Sequence, residues 1–277
     1  MTICAISVGV ADVRRDPDAS SELVTQALMN RPVKTNETSG DWTYVELSDY
    51  QGWMQTDVLA DAPIKGFTRI SDCCSTPLAL VAVVQATHTP LFADLTGDET
   101  LDTLYLSSVL PLLDTVPSER VKVALPGEQT GWISRNAVSI RYGEDCYPRQ
   151  SIDAIIAYAL PFQGVPYLWG GVSWKGIDCS AFVQLCYRMG GYTIPRDADQ
   201  QHDALTHVVT REQMQKGDLI FFGSERVTHV GMALNEKDYI HASGKYKRTV
   251  ISSFDPTDAR YDQQLDRIVR GIKRVID

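Results

Sequence analysis

The sequence predicts a multidomain chain in which two small all-β barrels precede an α+β domain. Two observations carry this. An alternating strand, a polar turn and then Gly-Trp with an aliphatic residue occur as Trp42 to Met54 and again as Val121 to Ser134. Such self-similarity marks a repeated unit. The second half instead opens on segments of helical period and continues into apolar runs of strand length. The expected divisions are residues 1–60, 61–141 and 142–277.

The elements follow in order. Turns at Asp16-Pro17-Asp18, Asn30-Arg31-Pro32 and Ser39-Gly40-Asp41 punctuate the first barrel, and Trp42 to Leu47 alternates cleanly. Tyr50-Gln51-Gly52-Trp53-Met54 closes it, with the glycine expected to let the backbone turn tightly. In the second barrel Asp94 to Glu99 forms a turn-rich insertion, and the leucine-rich run Leu101 to Leu113 is open between strand and helix. Arg141 to Pro148 reads as a linker. Ser151 caps a helix with Ile152, Ile155, Ile156 and Ala159 on its apolar face, which Pro161 stops. A second helix carries Phe182, Val183, Leu185, Cys186 and Met189 and ends at Gly190-Gly191. Arg196 to Gln201 caps another. Gly217 opens the strands of a small antiparallel sheet, while Arg267, Arg270, Lys273 and Arg274 read as a helix or tail face.

Composition narrows the function classes. The chain has 277 residues, 44% hydrophobic and 22% charged, which is ordinary for a globular protein. A formal net charge of -9 disfavours nucleic acid and anionic membranes as partners. No run reaches the apolar length of a membrane span. Met1 to Val10 is apolar but lacks a basic region, so it reads as a first strand. A cytoplasmic monomer is therefore expected, or a periplasmic or secreted one if a signal segment was removed. The six cysteines show no disulfide framework, and free thiols fit a reducing compartment. Cys4, Cys73, Cys74, Cys146 and Cys186 read as small buried hydrophobes. Asp72-Cys73-Cys74 has no accompanying ligand set of zinc spacing, so no metal and no cofactor are expected.

Chemistry gathers at Gly176-Ile177-Asp178-Cys179-Ser180-Ala181-Phe182. Cys179 sits where a glycine-rich segment meets the start of the second helix. Unpaired N–H groups and the positive dipole end favour a thiolate there. Two of the five histidines fall in one predicted hairpin, with Thr228 to Leu234 and Tyr239 to Ala242 as strands and Asn235 to Asp238 as the turn. If His241 pairs with Gly231, alternation puts His229 and His241 on one face, with the glycine leaving room. His229 would then take the thiol proton and His241 would hold its tautomer.

These residues carry a resemblance. Tyr167-Leu168-Trp169-Gly170-Gly171, Asp178-Cys179-Ser180-Ala181-Phe182, Gly217 to Phe222, His229-Val230-Gly231 and His241-Ala242 resemble, in order and spacing, the NlpC-type family of papain-like cell-wall cysteine peptidases. The two N-terminal units resemble bacterial SH3-like domains. The resemblance implies a papain-like fold and hydrolysis of the γ-D-glutamyl–diamino acid bond of murein peptides. It implies Cys179 as nucleophile, His229 as base, His241 as the third polar residue and Tyr167 beside the oxyanion. Trp169 and Trp174 would wall the pocket. Asp178 would pair with the free amine of an N-terminal L-alanine. By likeness to relatives with SH3-like domains, Tyr50 would wall the amine side and Glu22 would meet the amine, with Glu46 as the alternate. Ala198 stands where related chains often carry a hydroxyl residue, so Ser180 or backbone N–H groups would hold the D-glutamate carboxylate. The alternatives are a wall-targeting protein with a secondary peptidase part, and a thiol acyltransferase or amidase on the same core.

Overall fold

A computed structural model of the chain describes residues 2–63, 80–114 and 118–276 and divides into two compact units, Met1–Cys146 and Tyr147–Asp277. Asp72-Cys73-Cys74 lies outside the described residues.

In the first unit, alternation becomes one sheet of β1 (Thr2–Ile6), β2 (Val10–Arg14), β3 (Leu23–Leu28), β4 (Pro32–Ser39), β5 (Trp42–Glu46), β6 (Gln51–Gln55) and β7 (Leu59–Ala60). Its strand order is β3-β2-β6-β5-β4-β1-β7. Side chains on one face, among them Ile6, Val13, Val33, Val45 and Met54, are fully buried in one core, and Tyr50 packs against it. Period-two alternation turns one face of each strand inward in this way.

The same unit continues through β8 (Leu80–Val84), β9 (His88–Phe92), β10 (Thr100–Tyr105), β11 (Val109–Pro111), β12 (Arg120–Leu125), β13 (Gln129–Ser134) and β14 (Val138–Tyr142). These form two sheets, β10-β9-β13-β12 and β11-β8-β14. Both sheets share a core that includes Val84, Leu91, Leu104, Leu110, Val123 and Ile133. The ambiguous leucine run thus resolves as β10 and β11, joined by a turn in which Ser107 takes φ 73°. Met29, just past β3, completes this second core. Asn30 donates to the Val109 carbonyl at 2.8 Å, and the Gly9 N–H donates to Asp102 at 2.7 Å.

The glycine before each tryptophan does not turn the chain. Gly52 lies within β6 opposite Val45, where a Cβ would sit 2.6 Å from the Arg14 carbonyl oxygen of β2. Gly131 lies within β13 opposite Val123, where a Cβ would sit 2.7 Å from a Leu91 methyl carbon of β9. Both glycines permit close approach of a neighbouring strand rather than a special backbone angle.

The second unit begins with α1 (Ile152–Ala159), where the Ser151 hydroxyl accepts from the Ala154 N–H at 3.4 Å. A ribbon of β15 (Val172–Ser173) and β16 (Gly176–Ile177) leads into α2 (Cys179–Met189), and α3 (Ala198–Ala204) follows. The sheet comprises β17 (Val208–Val209), β18 (Leu219–Phe222), β19 (His229–Ala233), β20 (Asp238–Ser243), β21 (Arg248–Ser253) and, after α4 (Gln263–Arg267), β22 (Val269–Lys273). Its order is β17-β22-β18-β19-β20-β21, all antiparallel. Nearly every side chain of α2 is buried, and the helix packs on β19 and β20. A helix apolar on most faces is a core helix.

Of the C-terminal basic run, Arg267 ends α4, but the rest is neither helix nor tail. Val269–Lys273 inserts as β22 between β17 and β18, and Arg274 then pairs with buried Asp218 at 2.8 and 2.9 Å. Alternation was masked because only Ile272 of this strand is fully buried while its neighbours are basic or glycine. Gly217, at φ 90°, enters β18 where a Cβ would sit 2.0 Å from an Ile152 methyl of α1.

Candidate active site

The helix tip is assembled by its own flanking loop. The Tyr167 N–H donates to the Lys247 carbonyl at 3.0 Å, and Tyr167 bridges Ile177 of β16. This threads residues 166–167 between β16 and the start of β21. Gly171 packs so closely on the Gly176 carbonyl that a Cβ would lie 2.4 Å from its oxygen. Asp178 then caps α2, accepting from the Ala181 N–H at 2.8 Å, and Cys179 is the first helical residue. Capping satisfies an N–H group that the helix itself leaves unpaired.

The hairpin supplies the imidazoles. Met232 pairs with Ile240 and Ala233 with Tyr239, a register that sets Gly231 opposite His241. His229 and His241 therefore share a face, with His229 Nε2 2.8 Å from His241 Nδ1. A Cβ on Gly231 would lie 3.3 Å from His241 Cβ, so the glycine leaves room for that ring. The Val230 backbone N–H points at the Cys179 sulfur, which places the thiol at the start of β19, the strand that begins with His229. Nε2 of His229 is engaged by His241, so Nδ1 is the nitrogen left for the thiol. His241 is fully buried, and its Nε2 meets the Ser252 hydroxyl at 3.0 Å.

Burial decides the electrostatics. The Cys179 thiol is pushed up to about 12 by burial and then by the Asp178 charge, against the weaker pull of the Val230 N–H, Arg196 and the Ser180 N–H. Burial thus opposes the thiolate that the helix tip favours. Desolvation outweighs the dipole end because a charge loses more by leaving water than a helix terminus returns. Burial likewise brings His229 down to about 4, opposed by Asp178 and Asp262. Burial therefore favours the uncharged form of each group. Burial, then the Cys179 and Asp178 charges, raise the Tyr167 hydroxyl, which stays an O–H donor.

Asp178 is occupied inside the protein. One oxygen accepts from the Ala181 N–H, from Ser180 Oγ at 3.2 Å and from Arg196 at 3.0 Å. The other accepts from the Gly170 N–H at 3.0 Å and from Arg196 at 2.6 Å. Arg196 is 2% exposed and also donates to Ser180 Oγ at 3.0 Å. Gln201 donates to the Ser180 and Pro195 carbonyls at 3.0 and 2.9 Å. An incoming amine would compete with all of these donors for Asp178.

Sequence reasoning took Arg196 for part of a helix cap and missed its partnership with Asp178. It missed Gln201, Ser252 and Asp262 as well. Asp262 caps α4 and binds Lys245 at 2.9 Å, so the basic turn after β20 is tied to a buried carboxylate. The signal that was available is the charge itself: a charged residue flanked by buried positions needs a partner.

The remaining candidates are dispersed. Trp169 and Trp174 lie 59% and 37% exposed on the loop before α2. Ala198 opens α3 and is buried. In the first unit Glu22 pairs with Arg15 at 2.6 Å and Glu46 accepts from Asn36 at 2.7 Å. Among the described residues no group of three or more His, Cys, Asp or Glu is placed to hold a metal ion.

Known families cover the segments that carry these residues. The NlpC/P60 family pattern matches residues 164–268, and that of the bacterial dipeptidyl-peptidase SH3 domain matches residues 13–59. A γ-D-glutamyl-L-lysine dipeptidyl-peptidase of Bacillus cereus is 32% identical over 80% of this chain and 68% of its own length. The chain belongs to the NlpC/P60 family. It is a cysteine peptidase with an SH3-like domain ahead of the NlpC/P60 domain. Dipeptidyl-peptidase 6 of Lysinibacillus sphaericus is 28% identical over 95% of this chain and 96% of its own. A crystal structure of an NlpC/P60 protein from Bacillus cereus shares the fold, with a TM-score of 0.86 at 24% identity and full coverage of both chains.

Proposed function

We propose that this NlpC/P60 protein is an endopeptidase of short murein peptides, cutting between γ-D-glutamate and a diamino acid, diaminopimelate or lysine. The observation that carries the reading is the Cys179 thiol at the start of β19, the strand whose first residue, His229, has one nitrogen held by His241. The likeness to dipeptidyl-peptidases along most of the chain supports the substrate class. The site's residues supply each step. His229 Nδ1 takes the thiol proton as Cys179 sulfur attacks the γ-glutamyl carbonyl, so the ion pair forms only as it is consumed. The Cys179 N–H and the Tyr167 O–H donate to the oxyanion. His229 returns the proton to the leaving amine, and water, deprotonated in turn by His229, releases the glutamyl product.

Several finer statements belong to the same proposal. Residues 61–141 form a second SH3-like barrel, supported by the matching positions of Gly52-Trp53 and Gly131-Trp132 in paired strands. The third domain, 142–277, is papain-like, with its thiol helix packed on an antiparallel sheet. Trp169 and Ser180 line the substrate site, with Asp178 at the end that receives the free amine. The free thiols Cys4, Cys146, Cys179 and Cys186 accord with a reducing compartment, and we place the enzyme in the cytoplasm as a monomer. Incubation with L-Ala-γ-D-Glu-L-Lys tests the assignment. Release of L-Ala-γ-D-Glu and lysine is expected, and failure to cut this peptide or its diaminopimelate counterpart would overturn it. Comparison with an N-acetylated peptide tests the free-amine requirement, with a higher KM expected for the blocked form.

A further inference from the structure

Ser252 is a buried polar side chain that the catalytic reading leaves unused. It is 2% exposed and lies on β21, directly opposite Tyr239 of β20. His241, two residues beyond Tyr239, points to the same face and is a diagonal neighbour of the serine. Hence Ser252 Oγ comes within 3.0 Å of His241 Nε2.

A neutral imidazole has one N–H and one lone pair. Across the 2.8 Å contact between the rings, one nitrogen donates and the other accepts. Two arrangements satisfy the chain of contacts. In the first, His241 Nε2–H donates to Ser252, His241 Nδ1 accepts from His229 Nε2–H, and His229 Nδ1 keeps a lone pair. In the second, every proton is reversed, and His229 carries its hydrogen on Nδ1, facing the thiol. Only the first leaves a base for Cys179. The serine decides between them by where its own hydrogen goes. The Tyr239 hydroxyl, near Ser252, is buried and makes no hydrogen bond of good geometry among the described residues. Turning the serine hydrogen toward Tyr239 offers that oxygen a donor and leaves a serine lone pair for His241.

We infer that Ser252 is a positioning residue whose hydroxyl accepts from His241 and thereby determines which nitrogen of His229 is free to take a proton. The inference rests on the proposed roles of Cys179 and His229. Losing the hydroxyl strands His241 Nε2–H in a buried site, which favours the reversed tautomers.

Nitrogen-15 NMR of histidine-labelled full-length protein at neutral pH reads the tautomers directly. Both rings of the wild type are expected to carry hydrogen on Nε2. In Ser252→Ala, His229 is expected to shift toward the Nδ1–H form, with kcat down by roughly 10- to 100-fold and KM changed by less than about twofold. Ser252→Thr, which keeps a hydroxyl, is expected to restore most of kcat. A wild-type His241 protonated on Nδ1, or a Ser252→Ala protein with unchanged tautomers and kcat, overturns the inference. Cys179→Ala assayed alongside separates the two levels. Turnover by that variant sinks the nucleophile assignment, whereas the wild-type spectrum decides the tautomer question independently.

Discussion

Two cysteines lie on α2 about two turns apart, so they project from the same side of the helix. Both are buried, and burial raises both thiols. The surroundings of the two sulfurs differ. Around Cys179 are the Val230 N–H, the Asp178–Arg196 pair, the Tyr167 hydroxyl and the start of the strand that carries His229. Cys186 lies mid-helix, with only its own backbone N–H pulling its thiol back down. Burial alone makes a thiol inert. A sulfur becomes useful when a base and donors are held at it, and here that happens only where the helix begins.

The sharpest way to break this contrast is to remove each sulfur. Cys179→Ala is expected to abolish turnover, a loss of about 10⁴-fold or more. Cys186→Ala is expected to keep turnover within about twofold and to cost roughly 1 kcal/mol of stability, measured by urea unfolding. Equal losses of activity would erase the distinction.

The next largest effect concerns the ion pair that only the helix tip possesses. Arg196→Gln leaves the Asp178 carboxylate buried without its cation, at a cost of about 3–5 kcal/mol. Adding Asp178→Asn should recover part of that in urea melts. If Arg196→Gln melts like the wild type, the pair does not support the tip.

Titration separates the imidazole at the helix tip from the two thiols. An unfolded imidazole gains a proton near 6.5, whereas His229 resists until about 4. Between those values the unfolded chain binds more protons, so stability falls as pH drops from 6.5 toward 4. An unfolded thiol loses its proton near 9.0, whereas Cys179 keeps it until about 12. Stability therefore also falls as pH rises through that window. His229→Gln should flatten the acid side of a melting profile. Either cysteine variant should flatten part of the alkaline side, since both thiols are raised. The acid limb of kcat/KM is expected well below 6.5, and a limb at the ordinary imidazole value would show that His229 is better solvated than its burial implies.

The smallest effect expected is in labelling. Iodoacetamide should modify Cys179 slowly at neutral pH and faster as pH rises, with Cys186 unmodified in the native protein by peptide mass analysis. Rapid alkylation of Cys179 at pH 7 would mean that the thiolate is already present.

Much of the site was legible because local rules govern it. Asp178 and Cys179 begin a helix because a glycine-rich loop ends there, a capping carboxylate follows, and helical periodicity follows that. The His229–His241 contact is a consequence of strand alternation and of one glycine opposite His241. What escaped was set by partners distant in sequence. Val269 to Lys273 hid as a strand because its outward residues are basic, and its place between β17 and β18 depends on segments far upstream. Ser252 looked like any serine until the pairing of β20 with β21 set it diagonal to His241.

Sequence alone settled which residue types could do chemistry and which would stand next to one another on a helix or a strand. Those relations depend on backbone period, which every chain of this pattern shares. The folded structure settled the charge on those groups and the internal partners that hold them. Both follow from how much water is excluded when distant segments close around the sulfur and the rings. That exclusion weighs against the thiolate, and it makes a buried arginine and a buried serine matter.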